Sequence, residues 1–69
     1  MNISLNGVIV AIDADAKVTD AVAATGHSAT RPFGLAVAVN GEVVPRSAWQ
    51  TTPLEEADKV EVLVASQGG

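Results

Sequence analysis

The chain has no cysteine and no tyrosine, and a single tryptophan, phenylalanine and histidine among its 69 residues. Without thiols it forms no disulfide, offers no thiolate nucleophile and lacks the usual zinc ligands. Any sulfur chemistry it takes part in therefore works without a side-chain thiol. Basic residues are nearly as scarce. Lys17, Arg31, Arg46 and Lys59 stand against eight acidic residues, for a formal charge of -4. Such a surface repels phosphate backbones, so nucleic acid is not an expected partner. Long apolar runs are missing too: "VIVAI" and "LAVAV" are far too short to span a bilayer, and "MNISLNG" shows no basic segment followed by an apolar one. The expectation is a soluble cytoplasmic protein with no membrane partner. Neither a Walker loop nor a GxGxxG pattern occurs. The chain has no recognisable nucleotide site or bound cofactor of its own, so any ATP it depends on is bound by another protein.

What is present is aliphatic. Hydrophobic residues make up 48% of the chain while aromatics reach only 3%, so the core is built of Val, Ala, Ile and Leu, as in closely packed strands. This composition excludes disorder. The length allows one domain, whose core is thin because so small a chain buries only about 60% of its unfolded surface.

Asn6-Gly7 separates "ISL" from "VIVAI", and Asn-Gly favours a two-residue hairpin in which both turn residues have positive φ. Leu5 then faces Val8, Ile3 faces Val10 and Met1 faces Ile12, which places six apolar side chains on one face. Asn2, Ser4, Ile9 and Ala11 take the other face. Beyond "DADAK", Val18, Ala21, Val22 and Thr25 recur at helical spacing, with Thr19 the expected N-cap, Asp20 in the first turn and Gly26 the stop. "HSATRPFG" reads as a loop closed by Pro32 and Gly34. "LAVAV" turns at a second Asn-Gly pair, Asn40-Gly41, into "EVV", which Pro45 ends or confines to an edge. "RSAWQTTPLEEAD" is a long connection with at most one helical turn, anchored by Trp49 and Leu54. "KVEVLVA" alternates again, with Val60, Val62 and Val64 inward and Glu61 and Leu63 outward.

The order of hairpin, helix, hairpin, long connection and strand predicts an α+β domain over residues 1–65: a mixed sheet of four to five strands with one helix on one face. The opposite face has nothing in the sequence to cover it. Ile9, Ala36, Ala38, Leu63 and Ala65 fall there, and if they are contiguous they form a docking patch.

Few residues suggest side-chain chemistry. Asp13 and Asp15 have calcium-loop spacing, but Lys17 takes the next ligand position and the required Gly and Glu do not follow. Glu55, Glu56 and Asp58 read as a charged turn. His27 and Ser28 are adjacent, but no acid is placed to orient the ring for a triad. No metal site and no catalytic residue is expected. What remains is the end of the chain, residues 66–69, read as a flexible tail closed by Gly68-Gly69. Four residues reach roughly 13 Å, and the last two carry no side chain, so the tail can enter a channel that any Cβ would block. Its α-carboxylate is ionised at neutral pH and is a poor electrophile until it is activated, for instance as an acyl-phosphate anhydride.

"VAVNGEVVPRSAW", "PLEEADKVEVL" and the closing "QGG" together resemble the ThiS sulfur-carrier family of thiazole (thiamine) biosynthesis, over essentially the whole chain. The resemblance implies the ubiquitin-like β-grasp fold and a carrier that is not itself an enzyme. It implies that Gly69 is the site of covalent modification, adenylated with ATP by an E1-like adenylating enzyme. Sulfur from a cysteine desulfurase or other donor then makes a thiocarboxylate, which thiazole synthase consumes. Gly68 is the slim residue before the site and Gln67 completes the family's ending. Arg46 and Trp49 match its "PR..W" motif in docking or structural roles. Two departures are visible. Ala57 stands in "EEAD" where the family usually has Gly, and "KVTDAV" reverses the common Thr-Val order, which shifts the expected cap by one residue. Three alternatives share some of these features: the small subunit of molybdopterin synthase, a protein-conjugating modifier, and a non-covalent interaction module.

Overall fold

Both Asn-Gly pairs turn tight hairpins. Asn6 and Gly7 have φ of 51° and 84°, and Asn40 and Gly41 have 52° and 85°, the paired left-handed conformation of a two-residue turn. The computed structural model describes residues 1–26 and 34–64. The expected loop with His27, Ser28 and Pro32, Ala65 of the expected docking patch, and the tail of residues 66–69 lie outside the described residues.

The first turn joins β1 (Asn2–Leu5) to β2 (Val8–Ala11), and the second joins β3 (Leu35–Val39) to β4 (Glu42–Val44). Between the hairpins runs α1 (Val18–Ala24), and after them a 3-10 turn (Arg46–Ala48) leads through a crossover to β5 (Lys59–Val64). The five strands form one sheet in the order β2-β1-β5-β3-β4. β5 therefore enters the middle, parallel to β1 and antiparallel to β3. The register of the first hairpin is the expected one, Leu5 opposite Val8 and Ile3 opposite Val10, and Met1 and Ile12 exchange hydrogen bonds of 2.8 Å.

The core lies between one face of this sheet and the helix. Ile3, Val37 and Val60 meet Val18, Ala21 and Val22, and Trp49 and Leu54 of the crossover close the side, all buried. Each fully buried aliphatic side chain of this size contributes roughly 1.5–3 kcal/mol, which explains how a nearly aromatic-free chain holds together.

Three expectations need correction. The helix cap is Lys17, not Thr19. Helix N-termini leave unpaired N–H groups, and here the crossover supplies their partners: Val18 donates to the Thr52 carbonyl at 3.0 Å and Thr19 to the Trp49 carbonyl at 3.1 Å. The Asp20 carboxylate turns back to accept the Lys17 N–H at 2.8 Å. Val64, expected inward, is 59% exposed. A seven-residue helix is about 10 Å long and cannot cover a six-residue strand of about 20 Å, so the end of β5 runs past it. Val8 shares the helix-side face as expected but is exposed, because β2 is an edge strand and Val8 sits at its hairpin end.

Candidate functional site

The sequence reading expects the reacting end of the chain to follow β5, which is held on both sides. The strand alternates its backbone groups between its two neighbours, and a hairpin asparagine secures each end. At the start, Lys59 donates its N–H to Asn40 Oδ1 at 2.9 Å and accepts the Asn40 N–H at 2.8 Å. Asn40 Nδ2 also donates to Asp58 Oδ1 at 3.0 Å. Towards the other end, Val62 donates its N–H to Asn6 Oδ1 at 2.8 Å and accepts from Asn6 Nδ2 at 3.2 Å. Sequence reading assigned both asparagines to turns alone. Asparagine tolerates the positive φ and carries an amide as well, but where that amide reaches depends on a strand more than fifty residues away from Asn6. Gln67, Gly68 and Gly69 lie outside the described residues.

The helix-free face of the sheet carries four of the residues singled out in the sequence, Ile9, Ala36, Ala38 and Leu63. Ala36 pairs with Leu63, and Ala38 sits between Glu61 and Val43. Leu63 is 58% exposed and Val43, which the sequence reading did not select, is 76% exposed. Leu63, Ala36, Ala38 and Val43 thus form one continuous apolar strip across β5, β3 and β4. Ile9 does not join it. It lies opposite Ser4, which is in register with Lys59, four residues before Leu63. At about 3.3 Å per residue that is roughly 13 Å along the sheet, with β1 between. Arg46 is exposed at the first position of the 3-10 turn, after β4 has ended at Pro45.

The carboxylates near the crossover act as fasteners. Asp58 Oδ2 accepts the Glu55 N–H at 2.8 Å, and Glu56 Oε1 accepts the Asn2 N–H at 2.9 Å. Between them Ala57 adopts φ of 70° and donates its N–H to the Asn2 carbonyl at 2.8 Å, so the turn keeps its left-handed residue without glycine. Among the described residues no three His, Cys, Asp or Glu side chains gather to hold a metal ion. Nor, among the described residues, is any helix long and apolar enough to cross a membrane.

A mixed sheet in the order β2-β1-β5-β3-β4, with one helix across a single face, is the ubiquitin-like β-grasp architecture. Within that class the chain belongs to the ThiS family, whose model matches residues 3–69. It is similar to the crystal structure of a thiamine biosynthesis protein (ThiS) from Geobacter metallireducens, with 31% identity over 100% of both chains and a TM-score of 0.78. An NMR solution structure of a thiamine biosynthesis protein from the same organism is also 31% identical, over 100% of this chain and 88% of that one, with a TM-score of 0.75. No curated protein matches the chain in sequence. Family membership makes the chain a ThiS-type small sulfur carrier of thiamine biosynthesis.

Proposed function

We propose that the α-carboxylate of Gly69 carries the sulfur. An E1-like adenylating enzyme supplies ATP. A carboxylate oxygen attacks the α-phosphorus, pyrophosphate leaves, and the resulting acyl adenylate is the electrophile that the free carboxylate is not. The outer sulfur of a persulfide on a cysteine desulfurase or other donor then attacks the acyl carbon and AMP leaves. A second thiol of the donor cleaves the acyl disulfide, itself ending in a disulfide, and releases a thiocarboxylate that thiazole synthase consumes. The chain itself supplies no catalytic group and binds no cofactor. Its part is to present a slim end, Gly68-Gly69, that reaches into another protein's site. The strip of Leu63, Ala36 and Ala38 is the docking surface, with Arg46 beside the crossover as a further contact.

The observation that carries this reading is that the family match extends through residue 69 and so takes in the Gln67-Gly68-Gly69 ending. The test is intact-mass spectrometry after incubation with ATP, a sulfur donor and the adenylating enzyme. The expected result is one oxygen-to-sulfur exchange, lost when Gly69 is deleted. An unchanged mass with a competent partner, or the same exchange after the deletion, would overturn it.

A further inference from the structure

β1 ends at Leu5, in register with Val60, and the chain then turns away into β2. The Asn6 N–H still donates to the Val60 carbonyl at 2.9 Å. Past that point no backbone of β1 remains to pair with β5. The next groups of β5 on that side, the N–H and C=O of Val62, are nonetheless both satisfied, by the Asn6 side chain at 2.8 and 3.2 Å. A primary amide has the donor and acceptor layout of a peptide group, so this side chain replaces the missing rung of a parallel ladder. The rung lies two residues before the last residue of β5, Val64, where the chain continues towards Gly69.

We infer that Asn6 is a positioning residue for the C-terminal carboxylate: its clamp on Val62, opposite the β3 ladder, holds the second side of β5 just before the tail leaves it. This rests on the reading of Gly69 as the reacting end. On its other side β5 is paired with β3 as far as Val64, so the clamp is what holds this side of the strand's last residues. Displacements of only about 1 Å at a reacting atom can cost a hundredfold in rate. The clamp narrows the range of directions before the partner is met and leaves the apolar strip untouched. Its loss therefore lowers the rate within the docked complex, not the affinity of docking.

Asn40 is a built-in control. It sits at the same position of the same kind of turn and clamps the same strand, but at Lys59, the end remote from the tail. Glycine at either position keeps the positive φ and removes only the amide. The experiment compares wild type, Asn6→Gly, Asn6→Asp and Asn40→Gly by thermal unfolding, by amide hydrogen exchange at Val62, and by ATP–pyrophosphate exchange with the adenylating enzyme. Both glycine variants should lose similar stability. Asn6→Gly alone should speed Val62 exchange and lower kcat by about tenfold at an unchanged KM for the carrier. Asn6→Asp, which keeps the acceptor for the Val62 N–H but not the donor, should fall between. A wild-type kcat in Asn6→Gly, equal losses of kcat in Asn6→Gly and Asn40→Gly, or failure of both Asn6 variants to fold would each overturn the inference and leave Asn6 a structural residue. No exchange with the wild-type protein would instead overturn the reading of Gly69, and with it any carboxylate to position.

Discussion

The indole N–H of Trp49 donates to the Val44 carbonyl at 2.9 Å, tying the crossover to the end of the edge strand β4. The same residue accepts the Thr19 N–H on its own carbonyl at 3.1 Å, so one buried tryptophan joins the edge of the sheet to the first turn of the helix. Trp49→Phe keeps most of the apolar contact but leaves the Val44 carbonyl without its donor. The expected cost is about 1–2 kcal/mol, which for a domain of this size lowers Tm by about 5–15 °C. Thermal unfolding checks it. Adenylation of Gly69 at a temperature where the variant is folded should be unchanged, which separates a scaffold role from a catalytic one.

Ala57 has a left-handed backbone, φ of 70°, at a place where its N–H is committed to the Asn2 carbonyl. A Cβ in that region costs roughly 1–2 kcal/mol, and glycine returns part of the gain by loosening the unfolded chain. Ala57→Gly should therefore stabilise the protein by about 0.5–1 kcal/mol. The urea midpoint should rise with no change in slope. A lower midpoint would mean that the turn relaxes its φ in solution.

Local features of the chain were legible in its sequence. Asn6-Gly7 and Asn40-Gly41 marked both hairpins, alternation set the register of Ile3, Leu5, Val60 and Val62, and the spacing of Val18, Ala21 and Val22 named the buried side of the helix. What was not legible depends on residues distant in the chain. The helix begins at Val18 because the Thr52 and Trp49 carbonyls wait for its first N–H groups. Val64 is exposed because the helix is shorter than the strand beneath it, and Ile9 is separated from Leu63 by a parallel pairing that no local pattern encodes. The chemistry proposed for the tail rests on the sequence alone: it depends on a carboxylate and two missing side chains, and Gly68 and Gly69 lie outside the described residues.

Leu63 and Val62 are neighbours on β5 with opposite surroundings, the first 58% exposed on the apolar strip and the second 5% exposed in the core. Leu63→Asp should leave the fold intact, with a stability change within about 1 kcal/mol, and weaken binding to the adenylating enzyme by about tenfold or more. Val62→Asp buries an unpaired carboxylate and should unfold a domain whose total stability is only about 5–15 kcal/mol or less. Circular dichroism and titration calorimetry check the pair. Full binding by folded Leu63→Asp would move the docking surface elsewhere on the molecule.

Gly68 tests the requirement for a slim tail without altering the reacting group. Gly68→Ala adds one methyl group before the terminal carboxylate and restricts the backbone that carries it. Because glycine contributes no side chain to the buried core, the substitution removes no core contact and Tm should not change. If the partner's channel admits only backbone, formation of the acyl adenylate should fall at least about tenfold, a barrier increase of about 1.4 kcal/mol. Appending a single alanine after Gly69 is a stronger perturbation: it moves the carboxylate by about 3.5 Å and should abolish thiocarboxylate formation by intact mass. Near-normal adenylation of Gly68→Ala alongside complete loss in the extended chain would show that the partner measures the length of the tail and not its width.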